Sequence, residues 1–450
     1  MRPLRAPFLS LLTSPAQLSV CRMILSKPLS ICLAKIIWIL VFARDTGKKI
    51  NATICKLFLH LVALYATLLY MKIRTFWLDK IKKEWRRPVL WLSGIRRVGK
   101  TCLCQSLPDI EYFDCELPRV RRLLDDPQSF LEDLKGLRIV LDEIHRLGNP
   151  SEILKIAADH YPDTRIIATG SSILGASSRF RDTLAGRKSE LWLTPMVHTD
   201  LVDFGHTDIK YRLLHGGLPP FFLEEDIPER EFQEWMDAYW AKDIQELFRL
   251  ERRHSFQKFL ELLMMQSGGV FEATRFARSC EVSRTTISNY LAVLESTFIV
   301  HVLRPFSTHR PTEIVSAPKV YGFDTGFICY YRGWHELRSE DLGVLWEHFV
   351  LNELQAHLQT RQINYWRDKR GHEIDLVLSV RKKPPIVIEC KWSASDFDPS
   401  NVKAFRRQYS RGRTFVVAAD VDRSYRRSFG DIEVTFVNLA GLIKALAGEK

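Results

Sequence analysis

No two of the nine cysteines are spaced as C-x-x-C, so the chain has neither the ligand pattern of a zinc ribbon nor that of a dithiol redox site. Unpaired, scattered thiols fit a reducing compartment. Internal repeats and low-complexity segments are absent, which sets solenoids and biased tails aside. Also missing is a clean apolar run of about 20 residues, the length a spanning helix needs. The nearest approaches, residues 24–43 and 57–71, are broken by Lys27, Pro28 and Lys35, or by His60. No small-residue cleavage site follows a single apolar core, so a signal peptide fits poorly. The body of the chain has little surplus charge. Of the formal net charge of +12, residues 1–70 supply +8 through nine Lys/Arg against Asp45, leaving +4 for residues 71–450. Bulk charge is therefore weak support for nucleic-acid binding by the body.

What is present is ordinary globular material, 46% hydrophobic and 26% charged over 450 residues, enough for about two to four domains. Residues 1–70 differ in style from the rest. They read as a membrane anchor, a buried helical extension, or the product of a start codon upstream of the working one. The last is favoured, because the residues after Met71 form a complete amphipathic helix pattern leading into a first strand. A cytoplasmic location follows, with membrane association through residues 24–71 as the alternative.

The most informative stretch is GIRRVGKT, residues 94–101, set between the apolar run PVLWLS and the helix-like CLCQSL. G-x-x-x-x-G-K-[ST] between a strand and a helix is a phosphate cradle. Gly94 and Gly99 allow turns that aim the amides of Ile95, Arg96, Arg97, Val98 and their neighbours at an anion. Lys100 supplies a charge near the outer phosphates, Thr101 offers its hydroxyl to Mg²⁺, and Cys102 continues into the helix whose amino end favours negative charge. The expected ligand is ATP or GTP with Mg²⁺.

From residue 88 to 194, strands alternate with helices as in a doubly wound parallel sheet, with strands at 88–93, 110–115, 137–142, 164–170 and 189–194. RIVLDE ends the third strand in Asp142, expected to hold Mg²⁺, and Glu143, expected to polarise the attacking water. TRIIATGSS ends the fourth in Ser171 and Ser172, candidate phosphate sensors or caps. Arg187 is a candidate charge-stabilising finger or an ordinary solvated arginine. Residues 228–305 read as helical, with EATRFARSCEV and SRTTISNYLAVLEST shaped as helix-turn-helix. Ser283 is its N-cap, and Arg284, Thr285, Thr286 and Ser288 are presented outward; such a module serves either as a DNA reader or as a rigid spacer.

Residues 340–450 return to mixed α/β. A helix over 342–358 carries Glu347, and strands EIDLVL and IVIECK carry Glu373, Asp375, Glu389 and Lys391. Glu389 and Lys391 interrupt a buried-looking strand, and buried charges need a partner or a metal. Asp and Glu oxygens suit Mg²⁺, and a lysine beside them can orient water. The pattern points to a restriction-endonuclease-like fold, the alternative being charges that face outward from amphipathic strands.

The succession GIRRVGKT, RIVLDEIHRL, IIATGSS, TLAGR, LHGGLPPFF, KVYGFDTGF, LWEHFVLNEL and EIDLVL…IVIECK resembles a family of prokaryotic AAA-type ATPases with a C-terminal domain of unknown function (DUF4143). The resemblance covers roughly residues 71–450. It implies an AAA-type P-loop ATPase domain over 71–200, a helical and winged-helix segment over 201–320 and a PD-(D/E)XK nuclease-like domain over 321–450. Residues 94–101 then match Walker A, Asp142 and Glu143 match Walker B, and Glu347, Asp375, Glu389 and Lys391 match the nuclease signature. Ile95, Arg97 and Cys102 depart from the usual proline, glutamine and threonine, and none of these changes removes a phosphate or metal contact. The implied activity is ATP hydrolysis driving or gating a nucleic-acid-related module. The alternatives are an ATP-gated DNA-binding switch with little turnover and an ATP-controlled nuclease. DNA and self-association are the further partners this leaves open.

Overall fold

The computed structural model describes residues 72–170, 178–227, 229–245, 252–306, 317–379 and 383–447. The readings made for residues 1–70, and for Ser171 and Ser172, lie outside these. Helix α1 (Thr75–Glu84) buries Trp77 and Ile81, four residues apart on one face, and leads into β1 (Val89–Gly94), buried at every position. A parallel strand covered on both faces has that character. Helix α2 (Lys100–Gln105) follows the glycine loop. Strands β2 (Glu111–Asp114) and β3 (Arg138–Asp142), helix α3 (Pro150–His160), then strands β4 (Arg165–Thr169) and β5 (Lys188–Leu193) complete the unit.

The five strands run in the order β2-β3-β4-β1-β5, every pair parallel. They coincide with the five expected from the apolar runs, apart from end residues. Two-residue alternation divides their side chains between two cores. Val89, Trp91, Ile139, Leu141, Ile166 and Ala168 pack with Ile153, Leu154 and Ala157 of α3. Leu90, Leu92, Val140, Ile167, Leu191 and Leu193 join the larger core that continues into the C-terminal half. Residues Ile73–Lys450 accordingly form one unit.

Helices α4 (His198–Phe204), α5 (Ile209–His215) and α6 (Glu229–Ala238) come next. The amphipathic pattern over 229–250 predicts one continuous helix. Instead the backbone widens into a π-helical turn at Tyr239–Gln245, which buries Tyr239, Trp240 and Ile244. Then come α7 (Arg253–Met265), β6 (Gly269–Val270), α8 (Ala273–Cys280), α9 (Arg284–Ser296), β7 (Val300–Pro305) and β8 (Lys319–Gly322). Ser283 caps α9, its Oγ accepting the Thr286 N–H at 3.0 Å.

The last part holds α10 (Thr325–Arg332), α11 (Ser339–Leu358), β9 (Ile363–Arg367), β10 (Glu373–Leu378), β11 (Ile386–Lys391), α12 (Pro399–Gln408), β12 (Thr414–Ala418), β13 (Tyr425–Ser428), β14 (Glu433–Val437) and α13 (Leu439–Leu446). Its six strands join β6, β7 and β8 in a nine-stranded mixed sheet, β13-β14-β12-β11-β10-β9-β7-β8-β6. The β7–β8 hairpin is continuous with the C-terminal strands through a parallel β7–β9 pair, Arg304 opposite Asn364. The expected division between residues 320 and 321 thus falls inside β8. Among the described residues, no helix is long and apolar enough to cross a membrane.

Candidate functional site

The loop after β1 takes a backbone path that requires glycine at both ends. Gly94 has φ +151°, and a Cβ there would lie 2.6 Å from the Leu193 carbonyl oxygen of the paired strand. Gly99 has φ +99° and begins α2 in the left-handed region, where side chains are disfavoured. Between them Ile95 and Val98 are buried, so the loop is anchored by its apolar residues. Arg74 holds it from outside: buried and ion-paired with Asp200, it donates from Nη1 to the Val98 carbonyl at 3.0 Å. Lys100 curls back, its Nζ donating to the carbonyls of Gly94 at 2.8 Å and Ile95 at 3.1 Å. Burial holds the Lys100 pKa below the ordinary lysine value, against the opposing pull of Glu143, Asp142 and Asp243. Cys102 is exposed on α2.

Because β3 lies one strand beyond β4, its carboxyl end faces the loop across the mouth of the sheet, where open parallel sheets take their ligands. Thr101 Oγ1 donates to Asp142 Oδ2 at 2.8 Å, and the same oxygen accepts the Tyr112 hydroxyl at 2.5 Å. Asp142 Oδ1 accepts the Thr169 hydroxyl at the end of β4. Glu143 follows with φ +53°, a left-handed turn that lifts it off the strand, and its N–H donates to Thr169 Oγ1 at 3.1 Å. Its Oε2 lies 3.1 Å from His145 Nδ1. Burial pushes the Glu143 carboxyl up, but His145 and Lys100 outweigh it and hold the pKa below the ordinary value. A carboxylate charged at neutral pH is what a water-polarising role requires.

Not every expected residue joins this group. Arg187 precedes β5, and Lys188 pairs with Val89 at the start of β1, so parallel register puts Arg187 at the end of the sheet away from Gly94. There it forms a forked pair with Asp159 of α3, at 2.6 and 3.1 Å. A finger acting on its own chain's loop is therefore overturned. Sequence reasoning passed over Tyr112, Thr169, His145 and Asp243. Asp243, in the π-helical turn, bonds Arg96 Nε at 3.1 Å, and Trp235 Nε1 donates to the Arg96 carbonyl at 3.2 Å. The polar end of TRIIATGSS was a usable signal for Thr169; nothing near Asp243 marked it.

A second polar group lies in the nine-stranded sheet. Register sets β10 against β11, with Leu376 opposite Ile388, and this brings Asp375 beside Glu389 and Lys391. Lys391 Nζ lies 3.2 Å from Asp375 Oδ2 and 2.8 Å from Glu389 Oε2. Asp375 Oδ2 also accepts the Cys390 N–H at 2.8 Å. Glu347 of α11 accepts the Tyr321 hydroxyl and lies 3.3 Å from Lys319 Nζ. Lys319, on β8, reaches Glu373 Oε1 at 2.8 Å, and Arg367 approaches the other Glu373 oxygen at 3.8 Å. Asp375, Glu389 and Lys391 are joined by direct contacts, whereas Glu347 is held by Lys319 and Tyr321, two residues the sequence reading did not include. Burial and the Asp375 charge push the Glu389 pKa up to about 8 and raise that of Glu347.

Both groups offer hard oxygen donors of the kind Mg²⁺ takes. At the loop, the Thr101 hydroxyl and Asp142 carboxylate converge. In the C-terminal cluster, Glu389 is 1% exposed and its Oε1 has no hydrogen-bond partner among the described residues. An orphaned buried carboxylate oxygen fits a cation ligand. Among the described residues, however, no group of three or more His, Cys, Asp or Glu side chains is already arranged around one metal position.

Helix α11 connects the two regions. Asn352 Nδ2 donates to the Pro195 carbonyl at 3.2 Å, Glu353 accepts the His198 N–H, and Gln359 bonds Trp192 N and O at 2.8 and 3.1 Å. Thus the helix that carries Glu347 docks on the segment leaving β5, the neighbour of the loop-bearing strand. On the helix pair α8–α9, Arg275, Arg278, Arg284, Thr285, Ser288 and Asn289 are exposed while Phe276, Ile287 and Tyr290 are buried.

Residues 86–202 match the family model described as AAA domain, which supports ATP binding by this part of the chain. Residues 206–338 and 342–439 match two models described as domains of unknown function, DUF8612 and DUF4143. Uncharacterized proteins of Mycobacterium bovis and Mycobacterium tuberculosis are each 29% identical over 312 residues, which is 66% of this chain and 69% of theirs. One of Haemophilus influenzae is 20% identical over 268 residues, covering 52% and 67%. Among solved structures, a Walker-type ATPase of Pyrococcus abyssi aligns at 15% identity over 56% of this chain and 94% of its own, with a TM-score of 0.37. Cdc6p of Pyrobaculum aerophilum aligns at 13% identity over 57% and 91%, with a TM-score of 0.24. Both scores fall short of a shared overall fold.

Proposed function

We propose that the protein is a Mg²⁺-dependent ATPase whose P-loop unit drives or gates a C-terminal nucleic-acid-related module. The observation that carries this reading is the 2.8 Å contact between Thr101 and Asp142, with Lys100 next in sequence to Thr101. Residues 94–102 hold the nucleotide through loop amides and Lys100, Thr101 and Asp142 hold Mg²⁺, and Glu143 orients and polarises water. Mg²⁺ supplies charge neutralisation on the phosphate oxygens. Lys100 exchanges its two loop carbonyls for phosphate oxygens. Lys100→Ala should abolish binding of a fluorescent ATP analogue while leaving the circular dichroism spectrum unchanged. Retained affinity would contradict the assignment of the loop.

A second reading concerns the module. The order α7-β6-α8-α9-β7-β8 supports a winged-helix reading of the segment, and the contacts of Asp375, Glu389 and Lys391, with Glu347 on α11, support a PD-(D/E)XK nuclease-like reading of the cluster. The buried, unpartnered Glu389 Oε1 favours a divalent cation there. Cleavage of DNA or RNA with Mn²⁺ and ATP, abolished by Asp375→Ala, is the expected result; activity surviving that substitution points to a contaminant.

A further inference from the structure

The phosphate loop carries two adjacent arginines whose surroundings differ. Arg97 lies in the left-handed region at φ +62° and is exposed, its guanidinium 5.8 Å from the Phe221 ring. Arg96 is half-buried, with 31% of its side chain exposed, and the helical segment holds it at two points. Trp235 of α6, fully buried, donates from Nε1 to the Arg96 carbonyl at 3.2 Å. Asp243 accepts the Arg96 Nε–H at 3.1 Å. That carboxylate stands on the π-helical turn, where Tyr239 and Ile244 are buried and the Tyr239 hydroxyl lies 2.7 Å from Thr297 Oγ1. A wider turn re-aims the side chains beyond it, and such turns recur at functional sites.

Asp243 engages Arg96 through Nε alone. Nη1 and Nη2 have no hydrogen-bond partner among the described residues. Those two nitrogens form the fork with which an arginine grips a pair of phosphate oxygens. The guanidinium also lies in the field of the reacting groups. Burial pushes the Glu143 carboxyl up, and His145, Lys100 and Arg96 together hold it below the ordinary value. Burial likewise pushes the Asp243 carboxyl up, against the pull of Arg96 and Lys100. Arg187, by contrast, is paired with Asp159 at the far end of the five-stranded sheet.

Resting on the ATPase reading of the loop, we propose that Arg96 is the charge-stabilising arginine of this site and that Asp243 is its positioning residue. The fork of Arg96 grips the outermost phosphate of ATP, while Asp243 fixes its direction through Nε. In the reaction the water oxygen bonds that phosphorus as the bond to the bridging oxygen breaks. The bridging oxygen keeps the electron pair and leaves on ADP. One water proton passes by way of Glu143 to solvent, and the other stays on inorganic phosphate. Negative charge is spread over the transferring oxygens between these states, where a fixed guanidinium stabilises it most. The helical segment thereby completes the site, since Asp243 lies outside the residues 86–202 matched as AAA domain.

The test compares the full chain with Arg96→Gln, with Mg²⁺ throughout. Phosphate release is measured, as is affinity for ADP with and without aluminium fluoride, a mimic of the transferring group. Wild type should bind ADP more tightly when aluminium fluoride is present. Arg96→Gln should keep the ADP affinity, lose that extra affinity and slow turnover by about 1000-fold. Asp243→Ala should lower kcat by about 100-fold at unchanged KM. Asp243→Asn, which keeps an acceptor for Nε, should restore most of that loss. Turnover and extra affinity retained in Arg96→Gln overturn the role of Arg96. Equal kcat in Asp243→Ala and Asp243→Asn overturns the positioning role of Asp243. Neither turnover nor extra affinity in wild type overturns the ATPase reading beneath both. Should Arg96→Gln fail to fold, Arg96→Lys keeps the charge without the fork, and the same two readouts decide.

Discussion

His301 of β7 is 6% exposed and packs its ring 5.4 Å from that of Trp192 on β5. Burial, with help from Arg361 and His348, holds its pKa well below the ordinary 6.5. The ring is therefore neutral in the folded protein, whereas the unfolded chain takes up a proton as pH falls below 6.5. Its contribution is fully present above that pH and is lost toward acid, at up to about 1.4 kcal/mol per pH unit. His348 works in the same direction, its pKa pushed by burial down to about 3. Urea melts of His301→Phe should thus lose stability on acidification with a slope shallower than wild type by roughly one proton. Parallel slopes would mean that His301 is protonated in the fold. At this scale the sequence was only partly legible. Lys100, Thr101, Asp142 and Glu143 declared themselves through fixed spacing beside strands. Lys319 and Asp243 did not, because their partners Glu347, Glu373 and Arg96 come from other elements far along the chain.

Among the elements, strands covered on both faces were the easiest to read. Val89–Gly94 and Ile386–Lys391 are near-continuous apolar runs, and burial on both faces writes that pattern. Strand β13 carries YRRS, exposed at all four positions, and an edge strand with nothing to bury leaves no periodic signal. Strand β8 is four residues long, too short for a two-residue repeat to stand out. The π-helical turn escaped for another reason: its residues keep a helical alternation, and only the packing of Tyr239, Trp240 and Ile244 fixes the wider turn. Helix α9 was legible through Ser283, and its exposed Arg284, Thr285 and Ser288 supply a prediction. If α9 reads DNA, Arg284→Gln should weaken binding and lower the salt slope by about one unit. Fluorescence anisotropy across a salt series measures this, and an unchanged slope would assign α9 to structure.

For the whole molecule, the two sheets share one core. One face of the five-stranded sheet packs into the same cluster as α7, α11 and the β7–β8 hairpin, and α11 meets the segment after β5 through Asn352, Glu353 and Gln359. The glycine loop and the C-terminal part of the chain are thus joined by contiguous packing. That continuity was not visible as a pattern, since the sequence suggested separate domains in succession. All of it rests on hydrolysis at the loop, and Glu143 is its most exposed assumption. Glu143→Gln removes the charge that polarises water and keeps the side-chain shape, so it separates binding from turnover. Measured side by side with wild type, the variant should retain ATP affinity and lose turnover by about 100-fold or more, the scale of a missing general base. Equal rates of phosphate release from the two proteins would contradict the account.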